Sequence, residues 1–452
     1  MSESISESAQ EREKSRQISP FRTWTIIFLL ALIFALAIVD RVILSMMIAP
    51  IKRDLALSDS AFGLAQGAAV ALFYLVFAVP FGWASDRFDR RWILFLGISI
   101  WSLASAACGL VRNFGELFAA RSLVGAGEAV LGPAGYPMIA GLVQRNRLPI
   151  AMMIFYLGGN LGNALGQFLG GSLLSWLDKF GNIDVWLFGD LQPWRVVFLL
   201  TGLPGLILAL LIFLAPRQEA PPPRSAERNP ASIAQFAAFF RRHRRFYLSH
   251  NIGMGLQQAA LMATILWNAA FMTRTYGWTP GHIGMVFGSI LLATSAAAVI
   301  GHTWIMSKLF ARGMKDAHLR WQLIMSCMTI PMLALAYLWH DPVATCIGFA
   351  LASLFNGGSV VAGPTSLQLG TPSEFRGRVS GIYVVIATML GTAIGPSSIG
   401  FVTDYVIGDE QKVGIAIAGA SMLFCAGAAI AFWTGLAATR RLMAESEESI
   451  TA

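Results

Sequence analysis

Two carboxylates, Asp40 and Glu128, and two arginines, Arg41 and Arg121, are the charged residues that fall well inside long apolar runs of this 452-residue chain. The chain carries 25 Asp and Glu and 33 Lys and Arg in all, so these four stand out by position. A charge at bilayer depth costs about 3 kcal/mol even on a permissive insertion scale, and residues that bear this cost face one another or a watered path. Burial raises a carboxylate's proton affinity and a nearby guanidinium lowers it, so a carboxylate whose contacts change with conformation takes up and releases a proton. Asp40 and Glu128 are therefore the expected protonation sites. Arg41 and Arg121 are expected to be their exchangeable partners or to bind an anionic headgroup. Arg121 and Glu128 are seven residues apart, close to two helical turns, which predicts one helix face, about 10 Å between them and a shared cavity. Static ion pairs locking the N-terminal half are the competing reading, but buried pairs are weak sources of stability.

The elements that must position these groups are transmembrane helices. The sequence is 56% hydrophobic and 13% charged, with a mean hydropathy of +0.61, whereas soluble chains carry about 25% charged residues. Apolar runs of roughly 20 residues match the hydrocarbon thickness and predict spans at 24–50, 60–84, 92–111, 115–143, 148–175 and 194–215. A second set follows at 246–273, 282–306, 320–340, 343–369, 379–404 and 411–438. The expected fold class is thus an all-α membrane protein of twelve transmembrane helices in two six-helix bundles, 24–215 and 246–438, with a cavity between the halves.

Residues 216–245, with Pro221, Pro222 and Pro223, read as a linker. Ile233, Phe236 and Phe240 at helical spacing ahead of Arg241, Arg242, Arg244 and Arg245 suggest an amphipathic helix on the membrane face, where anionic lipid headgroups would be met. Of the 33 Lys and Arg, seven fall in odd-numbered connections and two inside spans, and the remainder sit at the termini, in the linker and in the other even-numbered connections. This positive-inside pattern predicts an inner-membrane protein with both termini cytoplasmic. The net charge of +8 is spread over loops with no single basic face, which argues against nucleic acid. The polar first twenty residues carry no cleavable signal pattern.

The halves echo each other. The stretch 145–151 leads into a span with Gly158, Gly162, Gly166 and Gly170 at four-residue spacing, and 376–382 leads into one with Gly391, Gly395 and Pro396. Such small-residue stripes let helices approach closely, and parallel repeats with a site at the midplane are a transporter architecture.

The stretch GWASDRFDRR, Gly82 to Arg91, closely resembles the loop motif between the second and third helices of the major facilitator superfamily. Asp86 can offset the N-terminus of a facing helix, while Arg87, Arg90 and Arg91 would pair across a cytoplasmic gate. The matching place in the second half, 301–312, has no acidic residue, so a latch there is expected to be degraded. Four stretches, Val39-Asp40-Arg41, Ser58 to Gly63, Arg121 to Ala129 and Phe155-Tyr156 to Gly166, resemble the Spinster branch. Gly158-Gly159-Asn160 and Gly162-Asn163 depart from the branch's usual pattern. The resemblance implies a carrier of lysophospholipids or sphingolipid phosphates, driven by protons.

The C-terminal half offers uncharged candidates for a substrate cavity, namely Gln257, Gln258, Asn268, Asn356 and Tyr383, amid Met254, Met262, Met272 and Met389. Tyr136, Asn160 and Asn163 are the counterparts in the first half. His243, His250, His282, His318 and His340 are expected in loops or at span ends and His302 at an interface, without a metal cluster. The four cysteines lie in apolar runs and give no disulfide or metal spacing. No phosphate-binding loop for ATP and no catalytic dyad is present. The sequence thus points to a secondary transporter, not an enzyme, with no cofactor beyond a proton gradient. It is expected to be a monomer in the membrane moving an amphipathic lipid by alternating access. Proton-driven efflux of amphipathic drugs, or symport of an organic anion such as a sugar acid, is the alternative.

Overall fold

The computed structural model describes residues 19–144, 147–186, 188–217, 233–372 and 374–451. The linker prolines 221 to 223 and Arg145 lie outside the described residues. Each predicted span is present as a helix within a few residues, except that the twelfth, expected to end at 438, continues to Thr451. The first half comprises Pro20–Met46, Asp59–Ser85, Arg90–Cys108, a fourth span built of Phe114–Glu128, Leu131–Gly135 and Tyr136–Leu142, then Leu148–Leu177 and Pro193–Leu214. The second half comprises Arg244–Tyr276, Pro280–Ala311, Ala317–Leu338, Pro342–Gly370, Arg376–Ile407 and Val413–Thr451.

Among the described residues, nine helices are long and apolar enough to cross a membrane by composition alone. The fourth and seventh spans fall short, and they hold Arg121 and Glu128, and Asn251 with Gln257 and Asn268, while the fifth carries Asn160, Asn163 and Gln167. Their polarity is tolerated because these side chains point into the bundle or between the halves. Gln167, Asn251, Gln257 and Asn268 are all buried.

The glycine stripes act as spacing predicts. A side chain at Gly158 would overlap the backbone of Ala31, and one at Gly162 that of Ala35, so the fifth span lies directly on the first. In the second half Gly391 and Gly395 bring the eleventh span onto Gln258 and Ala259 of the seventh. The repeat is also marked by a carboxylate clamp. Asp89, before the third span, binds Arg91 at 2.7 Å and lies 4.0 Å from Arg217, beyond the sixth. Asp316, before the ninth, binds Arg320 at 2.9 Å and Arg440, near the end of the twelfth, at 2.6 Å. The acid missing from 301–312 is therefore present four residues further on.

The end of the bundle that carries the linker is here the linker face, and its opposite the far face. The halves meet along the far end and part toward the linker face. The second and eleventh spans touch where Gly400 abuts Asp59, Gly63 abuts Pro396 and Gly67 abuts Thr392, whereas Gly377 and Gly381, nearer the linker face, have open space around them. Both spans carry a π-helical segment at this contact, Leu64–Ala68 and Thr388–Ile394, a distortion that often marks functional positions. The fifth and eighth spans meet at Gly171 with Pro280 and at Gln167 with Gly284.

The linker helix Ile233–Arg242 forms, but its aromatic stripe is not left to the membrane. Phe236 and Phe239 pack on Phe375, and Phe240 stacks on Tyr247, with centroids 5.7, 4.9 and 5.1 Å apart. Local spacing revealed the apolar face, and the second half supplies the surface that covers it.

Candidate functional site

Asp40 and Arg41 are neighbours in the first span, so their side chains diverge by about 100° around the helix axis. This splits the interior charges into two couples. Arg41 donates its Nε to Glu128 Oε2 at 2.7 Å, and one of its Nη groups to the same oxygen. Asp40 is fully buried on the other side, with Arg121 and Ser105 beside it and Glu128 within electrostatic reach. Arg121 is also fully buried and its Nη1 lies 3.5 Å from the backbone carbonyl of Asp40. Arg121 therefore does not share the cavity with Glu128 as its spacing predicts. Both sit on the unbroken helix Phe114–Glu128, about 10 Å apart along its axis, and at its own depth Arg121 meets Asp40 and Cys108 inside the first bundle.

The couple Arg41 and Glu128 borders a cavity of about 170 Å³ between the halves. Phe34, Tyr74, Tyr136 and Phe155 supply aromatic walls, and Thr388 and Thr392 close it from the π-helical segment of the eleventh span. Arg41 also lies over the Tyr74 ring at 5.8 Å, a cation–π approach that gives the guanidinium a second resting partner. Phe34 stacks on Phe155 at 4.8 Å, and Tyr136 meets Phe155 edge-on at 5.5 Å. The arrangement offers one cation, one carboxylate, hydroxyls and flat apolar walls in one small space.

Of the uncharged candidates, Tyr136 borders this cavity. Asn160 and Asn163 lie half-buried on the fifth span outside its lining. Gln257 is buried with both amide atoms unpartnered among the described residues, and Gln258 packs against Gly391. Asn268 accepts from the Tyr337 hydroxyl at 3.2 Å, Asn356 sits beside Cys425, and Tyr383 packs near His250. Tyr74, Thr388 and Thr392 were missed. A tyrosine amid an apolar run was the available signal for Tyr74, and a Thr pair at i and i+4 flanking Gly391 for the others.

Two histidines lie deeper than expected. His250 is fully buried inside the seventh span, with Nε2 2.8 Å from Ser366 Oγ and 3.1 Å from the Gly363 carbonyl. His302 bridges three spans: its Nδ1 accepts from Trp321 Nε1 at 2.6 Å and its Nε2 donates to the Leu354 carbonyl at 2.8 Å. Indole nitrogen only donates, which fixes His302 as the neutral Nε2–H tautomer.

The far face is sealed by charge. Asp59, fully buried, accepts from Lys52 Nζ at 2.5 Å and from Arg274 of the second half at 2.6 and 2.7 Å. Glu410 pairs with the same two cations, and Asp404 Oδ2 accepts from the Ser60 amide at 2.7 Å at the start of the second span. Asp59, Asp404 and Glu410 approach closely enough to suggest a cation site, but Lys52 and Arg274 already occupy the oxygens of Asp59. At the linker face, these contacts of the loop motif lie within its own half: Arg91 is held by Asp89 and the Ala215 carbonyl, Arg87 lies over Trp83, and Asp86 faces Arg90.

The family model of the Major Facilitator Superfamily matches residues 30–396. An "MFS-type efflux pump" of Mycolicibacterium smegmatis is 26% identical over 97% of this chain and 98% of its own length. "Protein spinster homolog 1" of Homo sapiens is 26% identical over 86% of this chain and 74% of its own. Among solved structures, a bacterial homologue of the human lysosomal transporter Spinster, inward-facing and unoccupied, superimposes with a TM-score of 0.76 at 21% identity, covering 95% of this chain and 99% of that one.

Proposed function

The chain belongs to the Major Facilitator Superfamily and is a transporter of its Spinster type, and from that premise we propose that it is a proton-coupled carrier of an anionic amphipathic lipid. The observation that carries this reading is the Arg41–Glu128 couple on the wall of an aromatic cavity between two halves. A lysophospholipid or sphingolipid phosphate brings an anionic headgroup and an acyl chain. The headgroup competes with Glu128 for Arg41, the one basic side chain on the cavity wall among the described residues. Protonation of Glu128 releases Arg41 and removes that competition. Asp40, with Arg121 behind the wall, takes the second part in the proton exchange. The acyl chain lies along Phe34, Tyr136 and Phe155. The positive-inside distribution makes the linker face cytoplasmic, so the arrangement here is open to the cytoplasm, with both termini on that side of the inner membrane.

The test is uptake of a fluorescent lysophospholipid into proteoliposomes under an imposed pH gradient, comparing wild type with Glu128→Gln and Asp40→Asn. Gradient-dependent transport that both variants keep unchanged defeats the proposal. Proton-driven efflux of amphipathic drugs is the second reading, favoured by the similarity to the mycobacterial MFS-type efflux pump. Competition by cationic dyes but not by lysolipids would select it.

A further inference from the structure

We propose that the groove between the seventh and twelfth spans at the linker face is a binding site for an anionic phospholipid of the surrounding bilayer. The seventh span opens with Arg244 and Arg245, and a trough of about 460 Å³ runs from them past Leu248, Ser249 and Ile252, with Ala431 and Thr434 on the opposite wall.

Charge complementarity selects the occupant. Glu445 already binds Arg242 and His243, and Asp316 binds Arg320 and Arg440. The guanidinium groups of Arg244 and Arg245 are exposed and have no ion pair or hydrogen bond among the described residues. Two free guanidinium groups at the end of a span match a phosphodiester, which they can grip with paired N–H donors.

The apolar continuation separates a lipid from a free phosphate. Residues 245, 248, 249 and 252 fall on one helix stripe, and the seven residues from Arg245 to Ile252 cover about 10 Å of rise, the descent from headgroup to upper acyl chain. Leu248 and Ile252 are exposed along it, and the small Ala431 on the opposite wall leaves the trough its width. None of these residues borders the Arg41–Glu128 cavity, so the site stands apart from the transport reading.

Native mass spectrometry of the full-length protein in mild detergent, titrated with phosphatidylglycerol or phosphatidylcholine, tests this. Wild type is compared with Arg244→Gln/Arg245→Gln, with Ala431→Phe, which fills the trough and keeps the charges, and with the charge-matched control Arg241→Gln/Arg242→Gln. The expected result is phosphatidylglycerol affinity reduced about thirtyfold by the first variant, as the loss of two basic contacts at a membrane surface implies. Ala431→Phe should also lose binding, the control should keep it, and glycerol phosphate should not compete. Equal binding by all variants, equal binding of phosphatidylcholine, loss in the control to the same extent, or displacement by glycerol phosphate overturns the proposal. A melting temperature close to wild type identifies the variants that are folded, and the surface arginine pair carries the test if Ala431→Phe is not.

Discussion

Arg41 of the first span closes on a single carboxylate oxygen of Glu128 in the fourth, through both its Nε and an Nη group, and leaves the other oxygen, Oε1, without a hydrogen-bond partner among the described residues. The pair is thus lopsided, with one oxygen committed and one available to a proton.

Removing the cation alone should be worse than removing both charges. Arg41→Ala leaves a buried carboxylate uncompensated and is expected to cost about 3 kcal/mol, whereas Arg41→Gln/Glu128→Gln should recover most of that. Thermal unfolding in detergent measures the cycle. Additive losses would mean the two side chains do not interact.

The far-face seal predicts a shift of conformation. Asp59→Asn strips the shared anion from Lys52 and Arg274 and should loosen the contact between Ser397 and Gly63, where a hydrogen bond of 3.1 Å now joins the halves. In a cysteine-free background, Ser397→Cys should react with a membrane-impermeant maleimide several-fold faster when Asp59→Asn is added. Equal rates would show that the charges do not hold this face closed.

The stripe on the fifth span predicts a contrast between glycines. Gly158→Leu overlaps the first-span backbone at Ala31 and should cost at least 1–3 kcal/mol by overpacking. Gly301→Ala meets nothing within 4 Å and should be neutral or stabilising by about 0.5–1 kcal/mol, the usual helix gain over glycine. The folded fraction recovered by size-exclusion chromatography separates them.

Asp316 predicts a pH dependence. Burial pushes its carboxyl up, but hydrogen bonds and charges from Arg320 and Arg440 outweigh this and hold it below the usual carboxylate range. With the folded value depressed, the clamp contributes in full above the unfolded value of about 3.9 and is lost as pH falls through the folded value. Asp316→Asn should therefore lower stability at pH 7 by about 1 kcal/mol, since both arginines are about half exposed. The gap from wild type should close on acidification below pH ~4. A melting-temperature difference that persists in acid would contradict the assignment.

Much of this was legible in the chain. Hydropathy runs and loop charge are properties of local sequence, so the spans and the pairing of repeats could be read, as could the close-packed stripe at Gly158 to Gly170. The four interior charges were likewise visible, because a charge in an apolar run has no cheap explanation.

What the sequence could not decide was who faces whom. Asp40 and Arg41 are adjacent in the chain, yet one turns into the first bundle and the other to the cavity. Arg121 and Glu128, spaced for one face, are separated by their different partners. Linear spacing fixes the angle between residues on one ideal helix, but each helix's rotation and breaks are set by packing against its neighbours. The same reason hid the covering of Phe236 by Phe375, the Asp59 seal and the burial of His250. Sequence determined the membrane helices, their duplication and the charges that need an explanation; tertiary packing decided which couple lines the cavity and which face of the transporter is shut.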